Sequence, residues 1–207
     1  MASDERWELF DEGLNLLRQG RWTEAEKILK KLVTVDPDTP TSWMALGRCQ
    51  LAQQKLDDAE ISARKAVELG ESMAQNWNLL GCVLKSKSSF SEAESAFRKS
   101  LEIDPKDATS WSGLSTVLIG LGRNSEAEEA ANKSIEIYPA FFEGWMALGI
   151  IHLKKGQLEK SEKSFRKLVE VSPYMPEAFE FLGMVLNAQG KHDEAAVVKA
   201  KARAMRQ

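Results

Sequence analysis

Trp43, Trp77, Trp111 and Trp145 stand 34 residues apart, and no other feature limits the possible folds of this chain so tightly. The same step reaches outward to Leu9 and Phe179. Four residues after each of these six positions come Gly13, Gly47, Gly81, Ser115, Gly149 and Gly183. Twelve residues further lie Ala25, Ala59, Ala93, Ala127, Ser161 and Ala195. The prolines fall only at the seams: Pro37, Pro40, Pro105, Pro139, Pro173 and Pro176. The pentapeptide Trp-Met-Ala-Leu-Gly occurs at residues 43–47 and again at 145–149, three periods apart. A period held six times without an insertion marks an array of one repeated supersecondary unit.

The residue types predict that this unit is a pair of helices. Gly and Ala at fixed offsets let two helix backbones approach closely, and Trp fills the space beside them. Thr23–Glu26, Asp57–Glu60, Ser91–Glu94 and Ser125–Glu128 read as capping boxes opening the second helix, and Glu159–Ser161–Glu162 departs from that pattern. Gly20, Gly122, Gly156 and Gly190 stand where a left-handed residue closes the first helix. Proline at the seam then stops the second helix. A pair of this size cannot bury its own apolar face, so stability comes from stacking neighbours.

With a bulky residue, Leu-Gly, a later Ala, an aromatic and a Pro at these spacings, the chain resembles the tetratricopeptide repeat (TPR) family over residues 6 to 207. The resemblance implies an all-α, right-handed superhelical solenoid of six 34-residue helix-turn-helix repeats. They fall at about 6–39, 40–73, 74–107, 108–141, 142–175 and 176–207, a single array over 1–207. Two departures stand out. The second repeat ends on Gly70 with Glu71 where proline is expected, and the second-helix series Leu29, Ala63, Phe97, Ala131, Phe165 ends on Lys199.

Composition removes several function classes. A net charge of −3 argues against general nucleic-acid binding, which needs a basic face. No apolar run approaches the ~20 residues of a membrane-spanning helix, and the start MASDERWELF lacks the regions of a signal peptide. Cys49 and Cys82 make neither a disulfide framework nor a zinc cluster, and a reducing cytoplasm is the expected location. His152 and His192 lie in different repeats, so a metal or a His-based catalytic pair is not expected. No cofactor motif and no catalytic constellation appears, and the chain is expected not to be an enzyme. The initiating Met and basic C-terminus also argue against a fragment of a larger enzyme.

In the family, first helices line a concave groove that holds a peptide. Carried onto this register, the groove takes Met44, Arg48, Asn78, Lys85, Thr109, Ser112, Glu143 and Met146. A protein or peptide partner is expected there, with Asn78 hydrogen-bonding its backbone. The two-carboxylate clamp of co-chaperones that hold heat-shock chaperone C-termini is broken in every frame: its first Lys and Asn sites carry Phe10 and Leu14, Met44 and Arg48, or Asn78 and Cys82. Those chaperone tails are therefore not expected as ligands. Glu143, Glu177 and Glu180 predict an acidic C-terminal end to the groove.

At the N-terminus Trp7, Phe10, Leu14 and Leu17 form a second apolar stripe beside Leu9, Gly13 and Leu16. A helix apolar on so much of its circumference is buried on more than one side. Acidic Asp4, Glu5, Glu8, Asp11 and Glu12 at this end face a basic last helix with Lys199, Lys201, Arg203 and Arg206. The alternative expectation is thus a structural assembly protein, a homo-oligomer joined through its terminal helices.

Overall fold

A computed structural model of the protein describes residues 3–206; the side chains of Ser3, Asp4 and Glu5 lie outside what is described. Among the described residues the chain is all-α, with twelve helices in six successive antiparallel pairs. Contacts divide it into two compact units, Met1–Pro105 and Lys106–Gln207. The first unit holds α1 (Ser3–Arg18) with α2 (Trp22–Val35), α3 (Pro40–Ala52) with α4 (Leu56–Leu69), and α5 (Ala74–Ser86) with α6 (Phe90–Ile103). The second holds α7 (Ala108–Gly120) with α8 (Asn124–Ile137), α9 (Phe142–Lys154) with α10 (Leu158–Val171), and α11 (Pro176–Ala188) with α12 (His192–Ala204). Within each unit the second helix of one pair also packs on the first helix of the next, as α2 does on α3 and α10 on α11.

The glycine ladder exists because of what lies opposite it. A Cβ on Gly149 would stand 2.5 Å from the Phe165 ring, and one on Gly13 would stand 2.8 Å from Leu29. Phe165 and Phe97 are fully buried, and each such ring contributes about 1.5–3 kcal/mol by leaving water. The one serine in the ladder, Ser115, belongs to a repeat whose second helix carries the small Ala131; its Oγ donates to the Ala127 carbonyl at 2.8 Å.

The tryptophans do more than fill space. The indole Nε1 of Trp43 donates to the Pro37 carbonyl at 2.7 Å, Trp77 to Glu71 at 2.8 Å, and Trp145 to Pro139 at 2.8 Å. Each ties the first helix to the seam six residues before it. The acceptor is a backbone carbonyl, so Glu71 serves as well as proline, and the departure in the second repeat leaves this bond intact.

The turn inside each pair is left-handed at one register: Gly20 (φ 71°), Gln54 (60°), Ser88 (60°), Gly122 (76°), Gly156 (69°) and Gly190 (78°). The four glycines are as expected, and Gln54 and Ser88 adopt the same conformation without being glycine.

The capping boxes require correction. The residues capping the second helices are Arg21, Lys55, Ser89, Arg123, Gln157 and Lys191, none with a side-chain cap bond. Thr23, Asp57, Ser91 and Ser125 lie inside the first turn instead. Glu26, Glu60, Glu128 and Glu162 look across to the next repeat. Glu26 pairs with Lys55 and Lys30, Glu60 with Lys87 and Arg64, Glu128 with Lys155, and Glu162 with Lys191 and Arg166. Burial pushes the carboxyls of Glu26 and Glu162 up, but the cations and a glutamine around each outweigh it and hold both at about 2.

Candidate functional site

Three of the eight predicted groove residues fall in two rows on the adjacent first helices α3 and α5. Met44 and Asn78 share one register, and Arg48 shares the next with Cys82; Lys85 lies one turn further along, level with Leu51. Helices α3 and α5 touch, so these residues form one face within the first unit. Arg48 is exposed, and Met44, Asn78, Cys82 and Lys85 are half-buried.

The electrostatics of this face differ from those of the second helices. There, the arginines of α4 and α10 are held by carboxylates of the following repeat: Arg64 lies 2.7 Å from Glu92 and Arg166 lies 2.5 Å from Glu194. Among the described residues neither Arg48 nor Lys85 has an ion-pair partner. The face therefore presents two unneutralised cations, an adaptable thioether and an amide, a set suited to carboxylates, backbone carbonyls and an apolar side chain.

The remaining four lie in the second unit. Thr109 is exposed on α7, while Glu143 and Met146 are half-buried on α9. Met146 packs against the cluster of Phe165, Leu182 and Val185. Ser112 is only 4% exposed, so the period placed it on the face but burial withdraws its hydroxyl from the surface. The acidic end is partly neutralised: Arg206 lies 3.3 Å from Glu177 and 2.8 Å from Glu180, a pairing between sequence-distant groups that no local pattern signals.

The N-terminal stripe divides. Phe10, Leu14 and Leu17 pack half-buried on the cluster of Leu16, Leu29 and Leu32. Trp7 remains 68% exposed, its ring edge-on to Phe10 at 6.3 Å.

His152 and Cys49 serve packing. His152 is buried, with Nδ1 3.3 Å from Ser164 Oγ and Nε2 3.2 Å from Glu128. Its counterpart three periods earlier, Gln50, accepts a hydrogen bond from Ser62 at 2.7 Å. Cys49 donates to the Trp22 carbonyl at 2.9 Å, and burial pushes its thiol up, away from nucleophilic chemistry. Among the described residues no group of His, Cys, Asp and Glu could hold a metal ion, and no helix is long and apolar enough to cross a membrane.

Comparison with known proteins matches two family models. Residues 10–74 match the tetratricopeptide repeat, and residues 86–206, more than half of the chain, match the Cilia and flagella-associated protein 70 middle TPR-like domain. No curated protein matches in sequence. Among solved structures, PilW, a widely conserved type IV pilus biogenesis factor, is similar with a TM-score of 0.88 at 18% identity, covering 98% of this chain and 94% of that one. MamA is similar with a TM-score of 0.69 at 23% identity, covering 83% and 94%. YrrB, a TPR protein with an unusual peptide-binding site, is similar with a TM-score of 0.63 at 21% identity, covering 86% and 91%.

Proposed function

This chain belongs to the tetratricopeptide repeat family, and from that premise we propose that it is a non-catalytic adaptor holding a segment of a partner protein on its first-helix face. Repeats of this family generally mediate protein–protein interactions. The observation that carries the reading is the α3–α5 face, where Arg48 and Lys85 stand without counter-charges beside Met44 and Asn78. A segment bearing a carboxylate or exposed carbonyls meets the two cations. An extended backbone runs beside the Asn78 amide, whose Oδ1 accepts from Cys82 Sγ at 3.9 Å, and an apolar side chain packs on Met44. The peptide-binding site named for YrrB supports this mode of use for the fold. Thr109, Glu143 and Met146 make a second, less cationic face that extends recognition of the same kind in the second unit. Two free thiols suit the cytoplasmic location proposed with this role.

The test is capture of partners by the intact chain and by Arg48→Ala/Asn78→Ala. Loss of two contacts to a bound segment is expected to weaken capture at least tenfold, at about 1 kcal/mol or more per bond. An unchanged set of captured proteins at unchanged yield removes the α3–α5 face from the function.

A further inference from the structure

The outer side of α11 and α12 carries a cleft of about 280 Å³ lined by Asn187, His192, Ala196, Lys199, Ala200 and Arg203. The period shows what this cleft is. One repeat earlier the same registers hold Leu153, Leu158, Glu162, Phe165, Arg166 and Val169. Four of these, Leu153, Leu158, Phe165 and Val169, pack in one cluster with Phe181, Leu182 and Val185 of the following first helix, α11. The Phe165 and Phe181 rings stack there, 5.2 Å apart and nearly parallel. The cleft on α12 is thus the seat of a first helix, with its apolar lining exchanged for Lys199, Arg203 and His192.

The complementary exchange is found on α1. The registers of α11 that hold Ala178, Phe181, Leu182 and Val185 hold Glu8, Asp11, Glu12 and Asn15 in α1. Ala178, Phe181, Leu182 and Val185 are buried or half-buried, whereas Glu8, Asp11, Glu12 and Asn15 are all exposed. These side chains are unfit to pack on an apolar second helix, because a carboxylate buried there would lose its hydration with no cation to replace it. Against a cationic seat they are suited. The register pair that is Phe165–Phe181 at the last internal seam becomes Lys199–Asp11 when α1 is placed in the α12 cleft. Among the described residues, Lys199 and Arg203 have no ion-pair partner within the chain, and neither do Glu8, Asp11 and Glu12.

We propose that the α11–α12 cleft of one molecule receives α1 of a second copy, continuing the 34-residue stacking head to tail through charges instead of apolar side chains. The apolar stripe does not make this contact: Phe10, Leu14 and Leu17 pack inward, and the joining face is the acidic one beside them. The proposal is independent of the α3–α5 face, since no residue is shared.

Sedimentation velocity on the full chain tests it. At low ionic strength the wild-type mass is expected to rise with concentration. At about 1 M salt, where the screening length is roughly 3 Å, it is expected to fall to the monomer. Lys199→Glu/Arg203→Glu and Asp11→Lys/Glu12→Lys are each expected to weaken association at least tenfold. Mixed in equal amounts, the two variants restore it, because each acidic end then finds a basic one. A wild-type chain that is monomeric at all concentrations and salts overturns the proposal. So does association that survives either double substitution, or a mixture of folded variants that stays monomeric. Arg48→Ala/Asn78→Ala leaves self-association unchanged, which separates this surface from the partner-binding face.

Discussion

The second and fifth repeats begin with the same pentapeptide, yet their interiors differ. In the second, Gly47 has Leu79 at 3.0 Å and Ser62 at 3.3 Å from the place of a Cβ, with the small Ala63 behind. In the fifth, the same place beside Gly149 is 2.5 Å from the Phe165 ring. The polar pair across the helices is Gln50 with Ser62 in one and His152 with Ser164 in the other. The turn residue is Gln54 in one and Gly156 in the other, both left-handed. A shared first-helix pentapeptide therefore goes with a shared backbone path but does not fix the tolerance to change, which the second helix sets.

The largest test of that difference is removal of the ring. Phe165→Ala is expected to cost about 3–5 kcal/mol, whereas the second repeat already carries alanine at this register. Next, Gly149→Ala is expected to cost about 1–3 kcal/mol through overpacking. Gly47→Ala is expected within about 1 kcal/mol of wild type, since helix propensity gains offset a milder contact. In the Phe165→Ala background the cost of Gly149→Ala disappears, a non-additivity confined to touching residues. Urea unfolding followed by circular dichroism measures all four. Equal effects at Gly47 and Gly149 would break the comparison.

A middle-sized effect lies at the seams leading into these repeats. Burial pushes the Glu26 carboxyl up, yet Lys30, Lys55 and Gln53 hold it at about 2. Glu128 is lowered first by the hydrogen bond from Lys155, against burial and with help from His152. Both folded-state values lie below the ordinary 4.5, so each carboxylate contributes stability above that pH and loses it as the pH falls. Glu26→Gln is expected to cost about 2 kcal/mol at neutral pH. The gap from wild type should narrow between 4.5 and about 2. Urea midpoints at neutral and acid pH read this, and a gap independent of pH would remove the ion pairs from the account.

The ladder of Trp, Gly, Ala and Pro made the helix pairs legible because it reports contacts that recur at every pair and at the seam beside it. The capping motifs misled for the opposite reason. Thr23 and Glu26 are spaced as a local box, but Glu26 answers to Lys55 of the next repeat. Local spacing carries no information about that choice. The candidate face was legible only as a set of registers. Period placed Arg48 and Ser112 alike on first helices, and only packing separated an exposed guanidinium from a serine that is 4% exposed. The turn at Gln54 and Ser88 could have been found from the sequence, since both stand on the 34-residue register of four glycines.

That turn gives the smallest test. A side chain at positive φ costs about 1–2 kcal/mol through its Cβ, and glycine removes the clash while raising the entropy of the unfolded chain. For Gln54→Gly the two terms leave a gain of about 0.5 kcal/mol or slightly more, and Ser88→Gly in the third repeat should behave alike. The reverse exchange, Gly156→Gln, has nothing within 4 Å to obstruct the new Cβ, so its expected loss of about 1 kcal/mol is purely conformational. Thermal midpoints moving in opposite directions for Gln54→Gly and Gly156→Gln would isolate the backbone contribution. A rise in both would show that the second and fifth repeats differ at this turn in packing instead of conformation.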